Sequence, residues 1–284
     1  MPYSDQNIKA EVICHSVNQH GDELVTFVIT YPRIILAELN THRMLSRSTA
    51  SSRAIPIKKQ IEKVGNNCFY PSWWGASQKG MQANEELEVN YQNEAVNEWE
   101  EASRYAMRYA AKLDLYGVHK QIANRMLEPF SYVTTIVTAT DWANFFKLRA
   151  HKDAQPEFMV LAFRMLDALV NSVATKTDSH IPFGDQMEPG LTEDEKMRVA
   201  CARCARVSYE NFSGSRNSKE DLRLADSLIH SGHMSPFEHV ATAFPQSVYV
   251  GNFRGWVQYR KKIPKENINR VNYKELLKEK PDWV

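Results

Sequence analysis

The chain has 284 residues, 43% of them hydrophobic, with 35 basic against 34 acidic side chains and a net charge of +1. That length and composition fit one large domain or two small ones with a real core, and the balanced charge excludes a chain-wide nucleic-acid footprint, so any anion site must be local. No apolar run approaches the roughly 20 residues of a membrane span, the first residues lack the charged and apolar regions of a signal peptide, and four cysteines (Cys14, Cys68, Cys201, Cys204) are too few for a disulfide framework. The expectation is a cytoplasmic protein with neither a membrane nor a nucleic-acid partner.

Residues 11–29 read as strands, with the β-branched run Leu24–Thr30 ending near Pro32. Ile35, Leu36 and Leu39 recur at helical spacing and predict a helix over 34–45, with Glu38 one turn from His42. The stretch 41–56, THRMLSRSTASSRAIP, follows as a loop or broken helix. It holds His42, Arg43, Arg47, Arg53, Ser46, Ser48, Ser51 and Ser52 and no carboxylate. Guanidinium forks and hydroxyls together suit an anionic ligand; a solvated basic turn is the competing reading.

Pro71, Gly75 and Gly80 mark a loop over 66–83, in which Tyr70, Trp73 and Trp74 either wall a pocket or, as the plainer reading, serve as packing anchors. A long helix is predicted over 84–115, stopped by Gly117, then a short helix over 119–127 and a strand over 131–139. Asp141 is placed to cap a helix carrying Trp142, Phe145 and Phe146. Arg149 ends that run beside His151, Lys152 and Asp153, either as a snorkelling surface cation or as part of a site. An apolar helix over 154–174 supplies core. Pro182, Gly184, Pro189 and Gly190 suggest a linker, giving a division into 1–175, a linker 176–191 and 192–284 within the same fold.

Thr192 to Glu195 form a capping box opening a helix towards Ala202, and a second helix runs from 218–221 to a stop at Gly232. His233 to His239 follow, then a strand to Phe244, a further helix over 248–260 and a charged, peripheral tail. Cys201 and Cys204 have CxxC spacing but no second Cys/His pair at finger spacing, so they read as buried thiols, with no metal. There is no phosphate-binding loop, no dinucleotide fingerprint and no cysteine in a nucleophile's setting. The segment GHMSPFEH has two histidines six residues apart, and its Ser235, Glu238 and flanking His233 offer donors and acceptors for a polar cofactor; a plain turn into a strand is the alternative.

These pieces resemble the flavin-dependent thymidylate synthases, the thymidylate-synthase-complementing family. Its signature is Arg-His-Arg, seven residues, then Ser; here His42-Arg43, seven residues and Ser51 fit, with Ser46 and Arg53 in register. Ala205–Tyr209 looks like its ARVSY block, Gly232–His239 like its His–Ser/Thr-Pro-Phe-Glu-His block, and Arg125 with Pro129, Asn144 to Arg149 and Ala154-Gln155 like its later blocks. In the family the ARVSY and SPFEH blocks precede the signature. Here they follow it, so the chain resembles a circular permutation, with 175–191 joining the old ends. Phe253–Arg260 looks like a degenerate second copy of the helix leading into the signature.

The resemblance implies an α/β (α+β) ThyX-like fold with a mixed sheet and long helices. It implies FAD-dependent methylation of dUMP to dTMP, with NADPH and methylenetetrahydrofolate as co-substrates, in a homo-oligomer (tetramer or dimer). It makes Arg149 and Ser51 catalytic, with Arg149 stabilising negative charge on the uracil ring. Glu38, Ser51, Ser52, Arg53, Arg125 and Arg149 fall to the pyrimidine nucleotide; His42, Arg43, Asn144, Ser208, His233, Ser235 and Glu238 fall to the flavin and folate. Thr41, Glu38, Thr49 and Asp153 depart from the family's usual Arg, Gln, Glu and His. They keep open two alternatives: a flavin- and folate-dependent modification of another pyrimidine nucleotide, such as hydroxymethylation, or a catalytically dead nucleotide-binding relative.

Overall fold

In the computed structural model, which describes residues 7–185, 187–208, 217–264 and 273–281, the β-branched run near the amino end forms the middle of a five-stranded sheet. Its strands are β1 (Lys9–Val17), β2 (Glu23–Pro32), β3 (Ser46–Thr49), β4 (Tyr132–Ala139) and β5 (Thr175–Lys176), in the order β3-β4-β2-β1-β5. All neighbours are antiparallel except the β1–β5 pair, so the sheet is mixed. Among the described residues the α-helices are α1 (Leu36–Leu39), α2 (Ile57–Asn66), α3 (Val89–Leu115), α4 (Lys120–Ala123), α5 (Ala143–Arg149), α6 (Pro156–Val170), α7 (Glu193–Ala205), α8 (Ser218–Ser231) and α9 (Tyr273–Leu276). A small sheet joins β6 (Ser179–His180), β7 (Ala241–Ala243) and β10 (Trp256–Gln258); β8 (Tyr249–Val250) and β9 (Phe253–Arg254) form a hairpin. No described helix is long and apolar enough to cross a membrane.

The period-2 alternation of β2 decides what covers each face. Val25, Phe27, Ile29 and Tyr31 point to one side, where Phe145 of α5 and Phe158, Leu161, Ala162 and Met165 of α6 complete the main core. On the other side Leu24 meets Ala241, Phe253 and Trp256, and Ile136 meets Cys204 and Val207. The carboxyl-terminal part therefore lies on the sheet's second face. A bulge between Val12 and Cys14 shifts the alternation of β1 and turns Cys14 and Ser16 to that face as well.

A buried line of hydrogen bonds fastens the two parts. Ser16 Oγ meets His180 Nδ1 at 2.8 Å, and His180 Nε2 meets Thr26 Oγ1 at 2.8 Å. Thr26 and Thr138 hydroxyls are 2.7 Å apart, Thr138 Oγ1 is 2.8 Å from His239 Nδ1, and His239 Nε2 is 2.9 Å from Ser48 Oγ. Ser48 then reaches Ser235 Oγ at 2.8 Å. Burial pushes both histidines down to about 3, so each imidazole is neutral and has one donating and one accepting nitrogen for its two partners.

Several elements differ from the sequence expectations. The helix over 34–45 is only a 3-10 turn at Arg33–Ile35 followed by α1; the chain then becomes strand β3, not a loop. Ser46 and Ser48 face inward because Asn252, Gln258 and His239 bind their hydroxyls, tertiary partners that outweigh helical spacing. The long helix starts at Val89, since 74–87 doubles back through a Gly75–Glu86 bridge. Asp141 does not cap α5: Trp142 holds the N-cap position, and Asp141 accepts from Thr140 Oγ1 at 2.7 Å. The apolar helix spans Pro156–Val170, with proline in its first turn.

The helix over 248–260, and with it the second copy of the signature's leading helix, is instead β8, β9 and β10 ending in a 3-10 turn. Gly251 and Gly255 both have φ of 70°, which breaks a helix. At Gly255 a Cβ would sit 2.1 Å from Asp22 Oδ2, so only glycine lets the hairpin close on the β1–β2 turn. Residues of the expected linker supply β5 and β6. The capping box at Thr192 and the stop at Gly232 form as read. Tyr209 and much of the tail lie outside the described residues.

The two buried histidines give the fold a pH dependence. Their ordinary value is 6.5, and the folded values lie far below it. As pH falls from 6.5 towards 3, the unfolded chain binds protons that the folded chain refuses, so stability declines across that window, by up to ~1.4 kcal/mol per pH unit for each histidine. Urea denaturation on the acid side of neutrality is expected to show this slope, and His239→Gln to flatten it. An unchanged slope in the variant would remove His239 as a contributor.

Candidate functional site at the edge strand

β3 is an edge strand, and several of the expected site residues lie on it or in the turns before and after it. Before it, Arg47 Nη1 donates to the carbonyls of Leu39 (3.2 Å) and His42, which pins the turn between α1 and β3. The His42 ring then stands edge-on to Phe145 and Phe158, with centroids 5.0 and 6.0 Å away. Arg149, the last residue of α5, lies 4.5 Å above the Phe158 ring. Its Nε donates to His42 Nε2 at 2.9 Å and its Nη1 to Glu38 Oε2 at 2.8 Å. Burial, then the charges of Arg149 and Arg47, push His42 down to about 4. A neutral ring with an unprotonated Nε2 is what Arg149 requires. Nη2 of Arg149 has no hydrogen-bond partner among the described residues, and the side chain is 20% exposed. The sequence paired Glu38 with His42 by their one-turn spacing, and the resemblance assigned Glu38 and Arg149 to the nucleotide and His42 to the cofactor; the structure puts Arg149 in direct contact with both.

After β3, Ser51 caps a 3-10 turn at Ser52–Ala54 by accepting from Arg53 N at 3.3 Å. The Ser52 hydroxyl donates to Glu128 Oε1 at 2.8 Å, and the same oxygen receives Arg125 Nη1 at 2.8 Å and Arg33 Nε at 3.1 Å. Asn124 Nδ2 holds the carbonyls of Ser52 and Ile55 at 2.7 and 2.9 Å. Ser51, Ser52, Arg53 and Arg125 are thus one cluster. Arg53 is exposed and has no side-chain partner among the described residues.

Along β3 itself, Ser48 bonds Ser235 across 187 residues of sequence. Burial lowers the Arg47 guanidinium's pKa, while the charges of Tyr31 and Glu238 raise it and that of Arg43 lowers it, so Glu238 and Arg43 both lie within its reach. Glu238 is ion-paired with Arg260. Arg43, Asn144 and His233 are exposed, with no side-chain hydrogen bond or ion pair among the described residues. Ser208 ends the 3-10 turn after α7, and its side chain lies outside the described residues. An exposed guanidinium, carboxamide and imidazole are groups able to bind a polar, anionic ligand.

Burial raises the pKa of all four thiols, and Cys201 and Cys204 are fully enclosed. The sequence reading named Arg47 and Ser48 only as members of the basic, serine-rich stretch, and it gave Glu128, Asn124 and His239 no role of their own at the site. The two-residue alternation of Ser46 and Ser48, and the three-residue step from Arg125 to Glu128, were the available signals.

This is an α/β protein whose open sheet edge is flanked by polar and cationic side chains. It belongs to a known family: the model of the thymidylate synthase complementing protein matches residues 15–174, more than half of the chain. The blocks at 205–209 and 232–239 lie beyond that match. Among solved structures the chain is similar to the UMP/dUMP methylase PolB from Streptomyces cacaoi. The form bound with 5-Br dUMP has 18% identity and a TM-score of 0.48 over 57% of this chain and 90% of that one; the form bound with 5-Br UMP has 17% and 0.46 over 57% and 88%. No protein of curated function matches.

Ser48→Ala would leave His239 Nε2 and Ser235 without their shared partner. The expected cost is ~1–3 kcal/mol in urea denaturation. A change within ~0.5 kcal/mol, the scatter of ordinary surface substitutions, would remove Ser48 as the bridge.

Proposed function

We propose that the chain methylates dUMP to dTMP, with FAD as its prosthetic group and methylenetetrahydrofolate and NADPH as co-substrates. The observation that carries this reading is the hydroxyl of Ser48, which ties the signature stretch to both Ser235 and His239 of the SPFEH block. Blocks far apart in sequence meet at one strand, as a permuted order of the family's motifs requires.

Arg149 is the group that stabilises negative charge developing on the uracil ring, making C5 a better nucleophile. It is held in advance by Glu38, His42 and the face of Phe158, so little reorganisation is needed when a nucleotide arrives. Ser51, Ser52, Arg53 and Arg125 hold the nucleotide, chiefly its phosphate, with Glu128 orienting Ser52 and Arg125. Arg43, Asn144, Ser208, His233, Ser235 and Glu238 hold the flavin and folate, with His42 behind them. Bound flavin supplies the hydride chemistry. Four thiols held in their protonated form by burial agree with a route that uses no cysteine nucleophile. Exposed Arg43, Asn144 and His233 leave room for a second copy of the chain to complete the site, as a homo-oligomer (dimer or tetramer).

One observation favours a second reading, modification of a different pyrimidine nucleotide. The Glu38 carboxylate, 2.8 Å from Arg149, cancels part of the positive charge that the reaction on dUMP would use.

The visible spectrum of the purified protein, before and after FAD and then dUMP, tests the proposal. A flavin band that shifts on adding dUMP supports one shared site; a colourless protein that takes up no FAD overturns the enzyme reading. Arg149→Ala is expected to lower turnover by about 10²–10³ or more with unfolding behaviour unchanged, and Ser51→Ala to cost far less. Full activity without Arg149 would remove its role, and equal losses would make Ser51 a direct participant.

A further inference from the structure

α3 runs for 27 residues, yet only Ser103, Ala106 and Ala110 are buried along it. On another side of the helix, positions 91, 94, 98, 101, 105, 108, 112 and 115 follow one another at three- and four-residue steps and so form one stripe. Every residue of the stripe is exposed except Lys112, which is half-exposed with its ammonium 5.5 Å from the Tyr109 ring centre. Tyr91 is 62% exposed and Leu115 84%, and Tyr105 stacks on the equally exposed Tyr109 beside it. Large side chains gathered on one open helix face mark an interaction surface, and tyrosine and arginine are types enriched at such surfaces.

The charges of the stripe sort by sign. Glu94, Glu98 and Glu101 fill its amino half, and Arg108 and Lys112 its carboxyl half. The helix dipole acts within the first and last turns, whereas Glu98, Glu101 and Arg108 lie well inside α3. Glu94 and Glu98 stand one turn apart, as do Arg108 and Lys112, and like charges at that spacing weaken a helix. Among the described residues the side chains of Glu94, Glu98, Glu101 and Arg108 have no hydrogen bond or ion pair; the ion pair of this helix, Arg104 with Glu100, lies off the stripe. The chain itself therefore does not offset these charges.

The stripe is its own complement. Turned end for end about the level of Ser103, it sets Glu98 opposite Arg108, each five residues from that level, and Glu94 opposite Lys112, each nine residues away. The same turn sets Tyr91 opposite Leu115. A patch that complements itself under a two-fold rotation is what an isologous pairing of identical chains requires. We propose that two copies of this chain pack their α3 helices antiparallel along this stripe, the acidic half of each against the basic half of the other. The pairing rests on α3 alone and stands whether or not the methylation reading holds.

The test is sedimentation velocity of the full chain as wild type, Glu98→Arg, Arg108→Glu and the double variant carrying both changes. Wild type is expected to self-associate. Each single variant places like charges opposite one another twice per interface, so association is expected to weaken roughly tenfold or more and the associated mass to fall to about half. The double variant exchanges the signs and is expected to recover the wild-type mass. An equal mixture of the two single variants is expected to associate although neither does so alone, because every contact between them joins opposite charges. Glu98 and Arg108 of one helix lie about 15 Å apart along its axis, so recovery cannot come from repair within a chain, and a variant that had merely failed to fold would not recover in the mixture. A monomeric wild type, single variants that keep the wild-type mass, or a double variant and mixture that both stay dissociated would each overturn the proposal.

Discussion

The architecture rests on the buried line of side chains from Ser16 through His180, Thr26, Thr138 and His239 to Ser48 and Ser235. Polar groups this deep are costly unless every one is paired. Here they pair with one another, and in doing so they fix the register of the carboxyl-terminal part on the sheet. An apolar interface alone tolerates sliding; a row of hydroxyls and imidazoles at 2.7–2.9 Å does not. The two histidines suit this position because a neutral ring donates at one nitrogen and accepts at the other, so each extends the row in both directions.

The same line ends at the open edge of the sheet. Ser48 sits in β3 with its hydroxyl on the buried row, while Arg47, one residue earlier, points to the opposite side and braces the turn that presents His42. Strand alternation thus divides the labour: one side of β3 anchors the SPFEH block, the other supports the Arg149 constellation. A pairing slip of one residue would exchange these roles and lose both.

Elements governed by near neighbours were legible in the sequence. The β-branched run of β2, the capping box at Thr192 and the stop at Gly232 follow from rules that act within a few residues. β3 was not legible, because Ser46 and Ser48 turn inward for partners roughly two hundred positions away. Residues 248–260 read as a helix through their likeness to the segment leading into the signature, and the deciding facts, Gly255 pressed against Asp22 and Trp256 Nε1 donating to the Asp22 carbonyl, are tertiary. At the site, the one-turn spacing of Glu38 and His42 was readable, but their joint grip on Arg149 was not. Glu128 escaped notice because its role comes from three donors that converge on it in space.

The placement of the second-face cover also bears on the order of folding. During synthesis the amino-terminal strands emerge first and are able to pair before the rest of the chain exists. Leu24, Thr26, Ile136 and Thr138 would then face water until His180, His239 and Trp256 have been made. The last third of the chain is therefore what closes the sheet, and a nascent chain halted before it would expose a ready surface for chaperones or for other unfinished copies.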